Sequence, residues 1–130
     1  MHRRDRASYT HAHPRTPGAW RAAGTSGSSP TGGWRYLPKE SGDTSIFGWQ
    51  IMALHSAGQL GFETPEETRA AALRYVRRAS AGRQRTLGSY MPGNGPSSAM
   101  TAELLFSRIL LGEKLTPEGE REACEFLAQT

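Results

Sequence analysis

The side chains best suited to chemistry in this sequence are few and scattered. His11 and His13 stand two residues apart, but no third ligand follows at a fixed spacing, so no metal site is expected. Cys124 is the only cysteine and has no His or Cys beside it, which favours a packing role. Gly27-Ser28 lacks the strand–turn–helix context that a nucleophilic serine requires. The residues alone predict no metal and no cofactor.

Arginine is the most abundant candidate binding group. Residues 1–38 contain six arginines against Asp5 alone, and a basic tail of this kind can bind nucleic acid through counterion release. A second group of arginines surrounds the second predicted helix: Arg69, Arg74, Arg77, Arg78, Arg83 and Arg85. Glu66 and Glu67 precede that group, which favours a solvated helix face. Nucleic-acid binding is therefore the weaker expectation.

The bulk composition predicts one domain behind a tail. The chain has 130 residues, of which 15 are Gly and 8 are Pro, and residues 1–31 have no hydrophobic period. Such a segment buries too little apolar area to order itself, so residues 1–31 are predicted to be disordered. No window is long and apolar enough for a membrane span, and no apolar leader follows the N-terminal arginines. These features and the single cysteine are compatible with a cytoplasmic location.

The remaining residues, 32–130, predict an all-α domain with about four helices. Helices are expected at about Thr44–Leu60, Pro65–Ala79 and Ser98–Leu111, with a fourth from Pro117 to the C-terminus. Gly61 and Gly112 follow the first and third helices as stop signals.

Local side chains indicate where these helices begin. Asp43 or Thr44 can cap the first helix. Thr64 with Glu67 is typical of a capping box for the second helix, and Thr116 is the predicted cap of the fourth.

The helices alternate between two apolar patterns. The first and third are apolar around nearly their whole circumference, and a helix of that kind must be buried on all sides. The second and fourth have one apolar stripe each. His55 lies within the apolar first helix and is predicted to be a core histidine. Two layers, with the first and third helices inside, satisfy this alternation.

The two halves of the domain also resemble each other in sequence. "YLPKESGDTSIF" at residues 36–47 matches "YMPGNGPSSAM" at 90–100, and "TPEETR" at 64–69 matches "TPEGER" at 116–121. A nearly constant period that contains two helices is typical of a helical repeat array. Two repeats, at about 32–85 and 86–130, are therefore predicted. Because each repeat needs neighbours to bury its inner helix, self-association or further repeats are expected.

A family resemblance accompanies this pattern. "GGWRY…GDTSIFGWQIMAL", the amphipathic helix after it and "YMPGNGPSSAMTAELLFSRILLG" resemble the squalene cyclase / protein prenyltransferase superfamily, and most of all bacterial proteins with prenyltransferase and squalene oxidase repeats. Gly32-Gly33-Trp34 is similar to the end of the family's QW motif. The resemblance covers residues 31–130 and implies an α-α toroid. With about four helices, the chain is expected to be a fragment or a shortened relative forming a partial barrel.

The resemblance also implies candidate site residues. Asp43 is similar to one member of the aspartate cluster with which squalene-type cyclases protonate an alkene, although its companions are missing. Aromatic side chains in such a cavity would stabilise carbocations of a hydrophobic isoprenoid substrate through cation–π attraction. The candidates for this role, for all of which core packing is the competing interpretation, are Trp34, Tyr36, Phe47, Trp49 and Tyr90. The zinc ligands of protein prenyltransferases have no counterpart.

Two functions are consistent with these observations. The first is a non-catalytic toroid-repeat module that acts as a scaffold or interaction surface, since the repeat pattern is present and the catalytic clusters are missing. The second is a terpenoid cyclase-like enzyme, or part of one, with Asp43 as proton donor and a polyprenyl substrate.

Overall fold

The computed structural model describes residues 32–34 and 42–129. This part of the chain is mostly helical, as predicted. Its elements are α1 (Thr44–Gln59), α2 (Glu66–Ala79), β1 (Ser80–Ala81), β2 (Leu87–Gly88), α3 (Ser98–Leu110) and α4 (Pro117–Ala128). The two short strands pair in antiparallel fashion and were not predicted. The predicted tail, residues 1–31, and the candidate Tyr36 lie outside the described residues.

Three of the four helices begin at a side-chain cap. Asp43 Oδ1 accepts a hydrogen bond from the Ile46 N–H at 2.9 Å, and Ser97 Oγ accepts one from the Met100 N–H at 3.3 Å. Thr116 Oγ1 accepts from the Gly119 N–H at 3.1 Å. Each bond satisfies a backbone donor that the first helical turn leaves without a partner.

The prediction for the start of α2 is wrong. The N-cap is Pro65, which has no side chain to offer, rather than Thr64, and no capping box forms. Pro65 has an extended backbone with ψ 142°, so the helix begins one residue later, at Glu66. In α4 the same Thr-Pro-Glu sequence does place proline inside the helix, behind the Thr116 cap.

The two glycine stop signals are confirmed. Gly61 and Gly112 have φ of 86° and 74°, in the left-handed region that glycine adopts without strain. After them, the Phe62 N–H bonds to the Ala57 carbonyl and the Glu113 N–H to the Arg108 carbonyl. This pattern is the Schellman motif, which ends both helices in the same way.

Helices α1 and α3 lie side by side and run in the same direction. Near their N-terminal ends Gly48 faces Glu103, so closely that a Cβ at Gly48 would overlap the Glu103 carboxylate. Near their C-terminal ends, residues 54–59 of α1 face Leu110 and Leu111. Helix α2 runs the opposite way behind them, because its early residue Arg69 donates to the Leu111 carbonyl at 2.8 Å. The result is two helical hairpins, α1–α2 and α3–α4.

The core lies where α2 packs over α1 and α3. Phe47 stacks between Trp34 and Tyr75, with ring centroids 5.8 and 4.6 Å away, and Ile51, Ala72 and Leu104 are buried beside them. Gly32, with φ 86°, passes so close to the Ala71 carbonyl that a Cβ would overlap it. The Gly-Gly-Trp sequence thus lets the chain approach α2 and insert Trp34.

A buried arginine and a carboxylate hold the hairpin between β1 and β2. Arg108 of α3 donates to Glu113 at 2.6 Å, to the Ser80 hydroxyl at 2.8 Å and to the Arg85 carbonyl at 2.9 Å. Burial lowers the pKa of Arg108, and the nearby Glu113 opposes that shift. From α4, Glu122 accepts from the Gln84 N–H at 3.0 Å. These contacts from α3 and α4 hold the turn between two strands of only two residues each.

The prediction that α1 and α3 are buried on all sides is wrong for this chain. Trp49 is 67% exposed and Ile109 is 70% exposed, and Met52 and Phe106 are also exposed. Each helix is buried on one side only, through Phe47 and Ile51 in the case of α1. The one-sided burial predicted for α2 is confirmed.

Candidate functional site

Asp43 occupies a structural position. Its side chain is fully buried, and Oδ1 accepts hydrogen bonds from the Ile46 N–H and from the Ser45 hydroxyl at 2.9 and 2.7 Å. It lines none of the three grooves that adjoin α4 or the α1–α3 seam. The geometry is that of a helix cap. A catalytic role for Asp43 stays a prediction.

The aromatic candidates do not converge on one cavity. Trp34 is buried in the core against Phe47. Trp49 and Tyr90 are exposed, 67% and 41% respectively. Tyr75, which is not one of these aromatic candidates, is the largest fully buried side chain of the described residues, and burial raises its pKa to about 12. Trp34 therefore packs in the core, whereas Trp49 is available for contact.

The remaining candidates are on the surface. His55 is exposed, so its prediction as a core histidine is wrong. Most of the arginines of and after α2 are exposed, as a solvated face requires, but Arg69 is half-buried against α3. Cys124 is exposed rather than packed. Within the described ranges no three potential metal ligands cluster.

The two hairpins share the geometry of the loop that feeds each inner helix. The Asp43 N–H donates to the Trp34 carbonyl at 3.1 Å, and the Ser97 N–H donates to the Gly88 carbonyl at 3.0 Å. Both donors are the N-cap of the following helix, so Asp43 is equivalent to Ser97 and Trp34 to Gly88. This correspondence aligns the positions of α1 with those of α3 and of the three residues that follow it.

A small groove lies along the junction of the two hairpins. This seam groove has a volume of about 200 Å³, and Leu110 and Leu111 form its α3 wall. Both leucines pack against the core cluster that contains Ile51 and Ala72. The next inner helix, α3, therefore covers apolar residues of the first hairpin, such as Ile51 and Ala72, that would otherwise be exposed.

A second groove, between α3 and α4, is open. This end groove has a volume of about 590 Å³, and apolar side chains of both helices and of the loop between them line it, including Leu105, Ile109, Leu115 and Ala123. Arg108 and Glu113, paired at 2.6 Å, lie at its polar end. None of the residues that the structure describes fills this groove.

Comparison of equivalent positions shows what the open groove lacks. Ile51 is 2% exposed and Ala72 is fully buried. The α3 equivalent of Ile51 is Leu105, which is only half-buried. Alignment of Thr64 with Thr116 makes Cys124 the α4 equivalent of Ala72, and Cys124 is exposed. The difference arises because α3 covers the first hairpin, whereas no described element covers the second.

Two largely exposed stripes lie on opposite sides of the α1–α3 pair. The trailing face belongs to α3 and contains Ala102, Leu105, Phe106 and Ile109. The leading face belongs to α1 and its end, and it contains Trp49, Ala53, Ala57 and Leu60. Successive members of the leading face follow the three- or four-residue spacing of one helix face. They lie on the side of α1 away from Gly48 and α3.

Glu103 marks the contact between the two inner helices. Its carboxylate lies against α1 at Gly48, and burial there raises its pKa. A glycine inside a helix, such as Gly48, can indicate close packing, but nothing in the sequence indicates that Glu103 is the residue it meets. Because Gly48 has no side chain, α1 and α3 can approach closely at this point.

None of the described helices combines the length and apolar content needed to cross a membrane.

Comparisons with known proteins add no family to this description. No family model matches the chain, and no curated protein or solved structure matches it either.

Proposed function

We propose that the chain is a non-catalytic helical-hairpin repeat module of the α-α toroid type, which acts by binding protein through its exposed inner-helix faces. The open end groove carries this proposal. Leu105 and Ile109 line a groove of about 590 Å³. By contrast, Ile51, the equivalent of Leu105 in the first hairpin, is 2% exposed beside the neighbouring helix α3. Large apolar side chains gathered at such a surface indicate a contact that the single chain does not make.

The burial of Asp43 also favours binding over catalysis. A general acid must reach the atom it protonates, but Asp43 is fully buried and bound to the first turn of α1. The terpenoid cyclase-like alternative would need both an open path to Asp43 and aromatic side chains around it. Trp49 and Tyr90 are instead exposed on the surface.

The proposal is tested with the purified full chain. Sedimentation velocity over a wide concentration range is expected to give a mass above the 14.2 kDa of one chain, with the shift lost in Ile109→Glu. Incubation with squalene or polyprenyl diphosphates is expected to yield no cyclised or transferred product. Turnover of any of these substrates, or a monomer at every concentration, would contradict the proposal.

A further inference from the structure

The seam groove is an internal example of how a neighbouring helix covers a groove of this kind. Five of its lining positions belong to the first hairpin's inner helix: 51, 54, 55, 58 and 59. Their equivalents in the second hairpin, positions 105, 108, 109, 112 and 113, all line the end groove. The two grooves are therefore the same surface of two successive hairpins. In the first hairpin Leu110 and Leu111 of the next inner helix narrow it to about 200 Å³, and in the second, where no described helix follows, it measures about 590 Å³.

One side of the inner helix α3 covers the seam groove. Leu110 and Leu111 form its wall, and Glu103 on the same side of α3 meets Gly48. The equivalents of these three positions in α1 are Ser56, Ala57 and Trp49, which belong to or adjoin the leading face. Because α1 is the first of the two inner helices, no described inner helix packs against that side of it.

The leading face has the properties of a contact surface. Trp49 is 67% exposed and Leu60 is 78% exposed, and between them Ala53 and Ala57 present only methyl groups. A large aromatic anchor beside small residues suits insertion into an apolar groove, because the backbone of the partner can come close. The trailing face offers such an approach at Ala102, which is exposed and is the equivalent of Gly48.

We propose that the chain associates head to tail with a second copy of itself, with the leading face of one copy in the end groove of the next. This inference rests on the proposed binding function and specifies its partner and geometry. Trp49 of one copy packs over Ala102 of the next, as Glu103 packs over Gly48 within the chain. A head-to-tail contact uses two different surfaces, so each added copy leaves one of each free and the assembly closes as a ring or continues.

The test is complementation between two variants that each lose one surface. Ala102→Arg blocks the trailing face and Trp49→Glu blocks the leading face; both positions are exposed, so both variants are expected to retain the helical circular dichroism of the natural chain. Each variant alone is expected to sediment as a monomer of about 14.2 kDa. An equimolar mixture is expected to form a dimer of twice that mass and nothing larger, because only one productive pair of faces remains.

Matched controls place the same side chains outside both faces. Glu125→Arg on α4 and Arg78→Glu on α2 change exposed positions, and both variants are expected to associate like the natural chain. Association that is lost in these controls too would show an effect of net charge, and would overturn the inference.

The outcomes separate this inference from the function on which it rests. A natural chain that is monomeric throughout would overturn both. A natural chain that associates, while the mixed variants do not rescue each other, would leave the binding function standing and overturn the head-to-tail geometry, since a two-fold contact between identical faces gives that result.

Native Cys124 provides a second readout of position. It lines the end groove, and its equivalent Ala72 lines the seam groove together with Leu111, whose own α1 equivalent is Ala57. An Ala57→Cys copy is therefore expected to form a disulfide-linked dimer with Cys124 of another copy under mild oxidation. Arg78→Cys is expected not to do so, and equal dimer yields from the two variants would overturn the inference.

Discussion

Replacement of Asp43 separates a capping role from a catalytic one. Asp43 Oδ1 accepts from the Ile46 N–H and the Ser45 hydroxyl at 2.9 and 2.7 Å, in a fully buried position. Asp43→Ala removes both bonds and leaves a first-turn donor of α1 without its acceptor. The loss of an N-cap oxygen and a charged acceptor is expected to destabilise the fold by about 2 kcal/mol.

Asp43→Asn is the matched control because asparagine caps a helix as well as aspartate does. It keeps a side-chain oxygen at the same place and loses only the charge at the helix N-terminus, for which the expected loss is about 0.5 kcal/mol. The difference between the two variants, about 1.5 kcal/mol, is roughly a tenfold change in the unfolding equilibrium constant.

Urea unfolding followed by circular dichroism at low protein concentration measures this difference. An Asp43→Ala protein as stable as the natural chain would refute the capping argument. If Asp43→Asn lowers the free energy of unfolding as much as Asp43→Ala does, the charge of Asp43 rather than its capping oxygen stabilises the fold. If the natural chain converts a polyprenyl substrate and Asp43→Asn abolishes that turnover at unchanged stability, the cyclase-like alternative is correct.

Three further perturbations test other parts of the structure. Arg108→Met removes a buried guanidinium that binds three partners and should destabilise the fold by about 3 kcal/mol in urea unfolding, whereas Arg78→Met at an exposed site should change stability by less than about 0.5 kcal/mol. Burial by itself raises the pKa of Glu122, but hydrogen bonds from Thr86 and the turn backbone outweigh burial and lower that pKa. The stability that the Glu122 carboxylate adds is therefore present above its unfolded pKa and lost as the pH falls through the folded pKa. The difference in unfolding free energy between the natural chain and Glu122→Gln should shrink on acidification, and a constant difference would contradict the assignment. Ile51→Ala should cost about 2 to 5 kcal/mol and Ile109→Ala under about 0.5 kcal/mol in monomeric protein, and equal losses would contradict the burial difference.

Helix positions could be predicted from the sequence because their signals are local. Asp43, Thr116 and the two glycines at 61 and 112 act within one turn of the residues they affect, so their types suffice. The failure at Thr64 has the opposite cause. Thr-Pro-Glu occurs before both α2 and α4, but only Thr116 caps its helix. The same three residues therefore do not decide by themselves whether the threonine caps the helix.

The β1–β2 hairpin and its turn could not be predicted because distant residues hold them. Each strand has only two residues, too few for an alternating pattern. The partners of the turn are Arg108, which is 23 residues beyond Arg85, and Glu122, which is 38 residues beyond Gln84. Contacts over such separations leave no periodic signal in one sequence. The buried role of Arg108 was missed for the same reason.

The candidate site was only partly visible in the sequence. Trp49 was identified as a candidate, but Leu105, Phe106 and Ile109 were assigned to a fully buried helix, and the exposed fraction of Ile109 shows that this is wrong for one chain. Hydrophobic periodicity counts the sides of a helix that are apolar. It does not indicate whether the covering atoms belong to the same chain.

The comparison of Ile51 with Leu105 supplies the missing distinction. Both are apolar residues at equivalent positions of their helices, and only the one next to another inner helix is fully covered. If α3 is apolar all round because it is buried on all sides in the functional assembly, the groups that cover its exposed side must come from outside the described residues. The first hairpin is already covered by α3, and α1 of another copy is the helix whose positions are equivalent to those of α3. The head-to-tail contact thus explains why both inner helices are apolar all round while each is half exposed in a single chain.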